Sequence, residues 1–213
     1  MDVVYPYKLS SSEELEYSLK SLQNIDYEHV YIIGDKPPVG NHVPLTKPYW
    51  ASYGPAHDQI AKYYHVKDME TSDSLLLMND DFYCLGKWNP ENYNRGTLEQ
   101  HIRDRRRLDY YTGQLQSTQR YLTQQGLPTL SYELHTPFLV DKAKLIQAIE
   151  ELLPYIMKRQ TVLIRSYYGN RFGIESKYME DVKNPVNPVG MTLVSSNEKT
   201  FKESLGAYVK SVL

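Results

Sequence analysis

An α/β fold with a mostly parallel central sheet flanked by helices is what the sequence predicts, on three observations. Short aliphatic, β-branched runs at 3–5, 29–33 and 74–78 alternate with segments of helical periodicity. The stretches between them are polar and punctuated by Gly and Pro. The run at 74–78 is apolar without alternation, the pattern of a strand covered on both faces.

In chain order, residues 3–5 form a short strand that Pro6 stops. Ser11 with Glu14 three residues later is a capping-box signature, so the strand feeds a helix. Leu15, Leu19 and Leu22 give that helix one apolar stripe, and it ends near Asn24. The run 29–33, closed by Gly34 and Pro37-Pro38, is the second strand, and strand–helix–strand defines a parallel βαβ unit. Residues 36–56, with proline at 37, 38, 44, 48 and 55, read as a long loop serving as a lid or cleft wall.

A short helix over 57–64 leads to the central strand, whose carboxyl end carries Asn79, Asp80 and Asp81. Residues 97–125 form one or two helices, with a break at Gly113 and a stop at Gly126 and Pro128. Residues 129–140 return to strand character, and Asp141 caps a helix through Leu153. A further strand at 161–164 leads into a substrate-facing loop, RSYYGN, at 165–170. From Asn197 an amphipathic tail with Phe201, Leu205, Tyr208 and Val212 packs back onto the body. The expected organisation is one domain over 1–213, with a helical insertion at about 95–126 and a C-terminal helix at about 197–213.

Composition is that of an ordinary soluble chain: 41% hydrophobic, 23% charged, formal net charge -2. The single Cys84 excludes an intrachain disulfide and a Cys-rich zinc cage, suits a reducing compartment and reads as a core residue. No apolar run approaches the roughly 20 residues of a membrane helix, and the opening lacks signal-peptide character, so a cytoplasmic protein is expected. The 20 Tyr against 4 Phe suit either a polar, sugar-stacking cleft or plain compositional bias.

Adjacent carboxylates at the end of a central strand repel each other, and a divalent cation such as Mg²⁺ or Mn²⁺ relieves that cost while bridging to phosphates. Open α/β sheets hold ligands at that end. The competing account is a solvated acidic turn. His135, at a strand end beside Pro137, suits a metal ligand or an acid–base group, or a structural histidine. Asp35 sits in an accessible turn, and Lys8 and Arg165 suit phosphates. Arg103, Arg105, Arg106 and Arg107, followed by Tyr110 and Tyr111, form a basic–aromatic cluster that suits a nucleic-acid contact or a solvated helix face.

The strand followed by Asn79-Asp80-Asp81 resembles the acidic metal-binding motif of GT-A-type glycosyltransferases, with Asn79 where the motif begins with Asp. Three ordered blocks also resemble the Stealth-type capsular polysaccharide phosphotransferases: Glu14-Leu-Glu-Tyr-Ser-Leu-Lys-Ser21, Val30-Tyr-Ile-Ile-Gly-Asp35 and Leu76-Leu-Met-Asn-Asp-Asp81. RSYYGN, and less closely Asp181-Val-Lys183 and Ser195-Ser196, resemble its later blocks.

The resemblance implies a GT-A-like, Rossmann-like fold in which Asp81 ligates Mn²⁺ or Mg²⁺, His135 completes the metal shell, and Asp80 or Asn79 touches sugar or ribose hydroxyls. Asp80, Asp81 and His135 are then the catalytic set, and Tyr5, Lys8, Asp35, Asn79 and Arg165 the nucleotide-sugar site. GT-A enzymes transfer the sugar; the Stealth family transfers the sugar phosphate. The short format is closer to compact glycosyltransferases, including those that bacteriophages encode to modify DNA or host glycans. The expectation is therefore a metal-dependent glycosyltransferase with a glycan or modified-DNA acceptor met by the arginine cluster, placed in the host cytoplasm if phage-encoded. The alternatives are a sugar-1-phosphate transferase and a catalytically silent glycan- or nucleic-acid-binding module.

Overall fold

A computed structural model describes residues 1–9, 13–105 and 108–213. The chain opens with β1 (Asp2–Tyr7), α1 (Glu14–Ser21) and a 3₁₀ turn (Leu22–Asn24), then β2 (Val30–Gly34), β3 (His42–Pro44), a 3₁₀ turn (Tyr49–Tyr53) and α2 (Pro55–Tyr64). Next come β4 (Ser74–Leu77), β5 (Phe82–Cys84), β6 (Tyr93–Asn94), α3 (Leu98–Arg105), α4 (Tyr110–Gln124), β7 (Phe138–Asp141) and α5 (Lys142–Ile156). It closes with α6 (Ile164–Phe172), β8 (Lys177–Tyr178), β9 (Leu193–Ser195), α7 (Glu198–Phe201) and α8 (Ser204–Val212).

The central sheet has the order β3-β2-β1-β4-β7, its first four strands parallel and β7 antiparallel to β4. This is the expected α/β class. Strand periodicity explains the layering, because successive side chains point to opposite faces. Val4, Ile33, Leu75 and Leu77 join α2, α5 and α6 on one side. Val3, Tyr5, Ile32, Leu76 and Met78 meet Leu15 and Leu22 on the other. Both faces are dry, and each Leu, Ile or Val so buried contributes about 1.5–3 kcal/mol before entropy is set against it. Phe201, Leu205 and Val209 dock α7 and α8 on Tyr83 and Val194, outer residues of the small β5–β9 sheet.

Several local expectations are corrected. β1 runs through Pro6 because the Met78 N–H bonds the Val4 carbonyl at 2.9 Å, so Val4 and Pro6 turn their polar atoms toward β4, whose ladder ends at Val4–Leu77. Beyond that point nothing on that side requires the missing N–H. The 36–56 loop carries the edge strand β3 and a 3₁₀ turn. Gly113 lies inside α4, which Asp109 caps by accepting from Thr112 N at 2.8 Å. Pro154 lies inside the last turn of α5, where the carbonyl it leaves unbonded belongs to exposed Glu150, within reach of water. Of the expected 129–140 strand only 138–140 is strand, within β7, and 161–164 is not one.

RSYYGN is not a loop but most of α6, and it is largely buried. Asn170 donates from Nδ2 to the Leu130 carbonyl at 2.8 Å and accepts from Leu130 N at 2.9 Å, tertiary bonds that no local pattern encodes. Ser11, on which the capping box rested, and Arg106 and Arg107 lie outside the described residues. Among the described residues no helix is long and apolar enough to cross a membrane.

Candidate functional site

Two adjoining cavities of about 460 and 650 Å³ share Ala56, Gln59, Asn79, Tyr111, Glu133 and Leu163, and form one cleft beyond the carboxyl ends of β1 and β4. Its walls come from α2, from Arg105, Tyr111 and Gln114 of α3 and α4, and from the segment around His135 with the start of α6.

The turn 79–81 follows from the end of β4 and is closed by Phe82 N donating to the Asn79 carbonyl at 3.2 Å. Ser18 of α1 supports it from beneath: its hydroxyl donates to the Phe82 carbonyl at 2.6 Å, with the Asn79 carbonyl 3.2 Å away. The Tyr5 hydroxyl, 3.0 Å off, donates to Ser18 Oγ. Tyr5 is thus a buried buttress under the turn, on the face of the sheet away from α2, rather than a donor contact.

Asp80 lines the cleft, and burial pushes its carboxyl up to about 7, with the Asp81 and Glu14 charges adding to the effect. Asp81 stands behind the lining. Its main-chain carbonyl accepts from Ser196 N at 3.1 Å, and its Oδ2 lies 3.3 Å from Lys183 Nζ. Its Oδ1 is out of reach of solvent and has no hydrogen-bond partner.

His135 lines the cleft with its ring edge-on to Phe82. Its Nδ1–H donates to Asp181 Oδ2 at 2.8 Å and its main-chain N–H to Asp181 Oδ1 at 3.0 Å, which leaves Nε2 as the nitrogen with a free lone pair. Burial alone would raise the Asp181 carboxyl; the hydrogen bonds from His135, with Arg95 at 3.9 Å, outweigh it and hold it below the usual range. Arg165 is buried and donates from Nη1 to the carbonyls of Leu134 and Thr136, at 2.9 and 2.8 Å, gripping the chain on both sides of His135. Its Nη2 has no hydrogen-bond partner. Glu133 accepts from Ser166 N and Oγ at 3.0 and 2.9 Å, and burial raises its carboxyl despite the nearby Arg165 charge.

At the other end, Lys8, Lys47 and Lys62 line the cleft around Asp58, which pairs with Lys47 at 2.7 Å and with Lys62 at 2.6 Å. Asp35 lies outside the lining; it accepts from Leu9 N at 3.0 Å and faces Lys47 at 3.9 Å. Arg105 borders the cleft, paired with Asp109 at 2.7 Å and stacked on Tyr111, whereas Arg103 is exposed on α3. Among the tyrosines, Tyr5, Tyr7, Tyr63, Tyr83, Tyr132, Tyr167 and Tyr168 are buried and serve packing, whereas Tyr111 lines the cleft.

The structure therefore brings Asn79, Asp80, His135, Arg165 and Lys8 to one cleft, keeps Asp81 just behind it, and leaves Tyr5 and Asp35 aside. An oxygen-preferring cation fits this donor chemistry: a carboxylate oxygen without a partner, and an imidazole whose other nitrogen is anchored on a carboxylate. Among the described residues, the one group of three His, Cys, Asp or Glu side chains with ligand atoms within 4.8 Å of one another is Asp2, Glu28 and His29. That group lies at the amino end of β1, where Asp2 already accepts from His29 and Glu28 meets the N-terminal ammonium. Asp181, Lys183, Glu133 and Lys47 were absent from the sequence-based site. The adjacent Asp181-Val-Lys183 was the only signal for the first two, and it had no local partner to point to.

No protein-family profile matches the chain, and no curated protein does. Among solved structures, it is similar to the apo form of the glycosyltransferase GlyE of Streptococcus pneumoniae TIGR4, at 11% identity over 100% of this chain and 51% of that one, TM-score 0.43. A further structure of GlyE from the same source gives 12% identity over 91% and 54%, TM-score 0.46. The 2-C-methyl-D-erythritol 4-phosphate cytidylyltransferase of Thermus thermophilus gives 9% identity over 84% and 88%, TM-score 0.42. The chain spans about half the length of the GlyE structures. Likeness this remote assigns no chemistry to the chain.

Proposed function

We propose that the protein is a metal-dependent glycosyltransferase that moves a sugar from a nucleotide-sugar donor to a glycan or modified-DNA acceptor. The observation that carries this reading is the partnerless Asp81 oxygen in the turn at the ligand end of a parallel sheet, with Lys183, which pairs with its Oδ2, lining the same lysine-bearing cleft as the Asp181-anchored His135 ring.

Asp81 and His135 would hold Mn²⁺ or Mg²⁺. Bound there, the cation supplies Lewis-acid charge against a departing diphosphate. The chain's own residues do the rest. Lys8 and Lys47 set positive charge at the β1 end of the cleft for phosphate oxygens. Asn79 and Gln59 present planar amides to hydroxyls, and Asp80, with its carboxyl near 7, both donates and accepts at neutral pH. Arg165 keeps His135 in place by fixing the carbonyls on either side of it. Exposed Arg103 and cleft-edge Arg105 favour an anionic acceptor such as DNA.

The test is calorimetric titration of the protein with UDP-, GDP- and ADP-sugars in the presence of Mn²⁺, followed by product mass analysis with wild type and Asp81→Ala. The expected result is metal-dependent turnover to nucleoside diphosphate that falls at least a hundredfold in the variant. Turnover that survives Asp81→Ala unchanged rejects the cation assignment. Nucleoside monophosphate as product identifies sugar-phosphate transfer instead, and binding without turnover identifies a silent module.

A further inference from the structure

The segment 181–183 contacts both candidate metal ligands. It runs extended beside β9: Ser195 N–H donates to the Val182 carbonyl at 3.1 Å, and Asn184 N–H to the Ser195 carbonyl at 2.7 Å. Because β9 pairs with β5 from Phe82–Ser195 onward, the segment is fixed in register with the residue before β5, Asp81. Residues two apart on an extended chain share a face. Asp181 and Lys183 accordingly engage the site together, one holding His135 and the other Asp81, while buried Val182 lines a different cavity.

Lys183 lines the cleft and Asp81 does not. Lys183 thus joins the cleft to the Asp81 carboxylate. A divalent cation on Asp81 and an ammonium 3.3 Å from the same carboxylate repel each other, which favours release of one as the other binds. The lysine is the mobile partner: its stem is flexible, its side chain is 29% exposed, and the cavity beside it offers about 460 Å³.

We propose that Lys183 is the resident counter-charge of Asp81, that a divalent cation binds by displacing it, and that the displaced ammonium turns to the donor's diphosphate, so that cation and donor bind cooperatively. The proposal rests on the reading of the cleft as a cation-dependent nucleotide-sugar site. Linkage then requires that the nucleotide tighten cation binding by the same factor as the cation tightens nucleotide binding.

The experiment measures Mn²⁺ affinity by calorimetry and by the electron paramagnetic resonance of free Mn²⁺, with and without UDP or GDP. It compares wild type with Lys183→Met, Lys183→Gln and Lys183→Arg, with circular dichroism confirming the fold of each. Lys183→Met and Lys183→Gln are expected to bind Mn²⁺ alone about tenfold more tightly than wild type, the scale of one half-buried opposing charge. In both, the factor by which nucleotide tightens Mn²⁺ binding is expected to fall about tenfold below the wild-type factor, the remainder being the cation's own contact with the diphosphate, while Lys183→Arg keeps the wild-type pattern. Neutral variants that fold and bind Mn²⁺ no more tightly than wild type, or wild type that binds both ligands without coupling, overturn the proposal and leave the site assignment standing. Wild type that binds neither Mn²⁺ nor either nucleotide overturns both.

Discussion

At the scale of single residues, the turn that carries the acidic pair is held by groups with no chemistry of their own. One Ser18 hydroxyl serves Phe82 and Tyr5, both contacts buried, with the half-buried Asn79 carbonyl also within 3.2 Å. Removing it leaves a buried carbonyl and a buried phenol short of a partner, and an unmet buried polar group costs about 1–3 kcal/mol. Ser18→Ala is therefore expected to lower unfolding free energy in urea by roughly 2 kcal/mol, and to weaken Mn²⁺ binding although Ser18 touches no ligand. A variant as stable as wild type would show that the turn holds itself. The same logic recasts Arg165. Expected as a phosphate ligand, it spends one nitrogen on the carbonyls of Leu134 and Thr136 and so positions His135.

At the scale of elements, the α3–α4 pair forms one wall of the cleft and is tied to the site through His101. This buried imidazole lies 2.8 Å from Ser131 Oγ at Nδ1, and at Nε2 it meets Arg95 Nη1 at 3.2 Å, so the arginine N–H takes the lone pair that a proton would need. Burial, with the Arg95 and Arg105 charges adding, pushes His101 down to about 3, against partial help to the charged form from Asp181. An unfolded histidine titrates near 6.5 and so binds more protons than the folded one between about pH 6.5 and 3. The stability from keeping His101 neutral is complete above about pH 6.5 and is lost as pH falls through that window. Asp80, raised to about 7, has the opposite slope between about pH 4 and 7, since its folded form holds the extra proton there. The contrast between wild type and His101→Gln isolates the histidine. Melting temperatures from pH 7 down to 4.5 should fall more steeply for wild type than for the variant, and parallel curves would refute the neutral, arginine-bound state.

At the scale of the whole molecule, what could be read from the sequence tracks how local the determinant is. β1, β2, β4, α1 and α5 declare themselves through apolar runs or helical stripes, and Asn79-Asp80-Asp81 through side-chain chemistry at the end of β4; His135, expected at a strand end, lies in the irregular segment before β7. The two- and three-residue strands β5, β6, β8 and β9 have no such signature, because their pairing partners lie far away in the chain. Asp181 and Lys183 acquire their roles only through that pairing, and α6 through the Asn170–Leu130 bonds. A consequence is that the candidate site depends on the C-terminal helices, although none of their described residues lines the cleft. Ser196, whose N–H holds the Asp81 carbonyl and whose hydroxyl meets Glu14, follows β9, and β9 is covered by Phe201, Leu205 and Val209. Three such side chains are worth about 5 kcal/mol on burial, comparable to the whole stability of many domains. A chain ending at Ser196 is therefore expected to unfold at least 10 °C lower and to lose Mn²⁺ binding together with its structure, a shift on the order of several kcal/mol. Gly206→Ala offers the point-substitution form of the same test, since an added Cβ would lie 1.6 Å from the Phe201 carbonyl oxygen and prise α8 from α7. If either variant kept wild-type melting and wild-type Mn²⁺ affinity, the β5–β9 sheet would be shown to hold Asp81 without its cover.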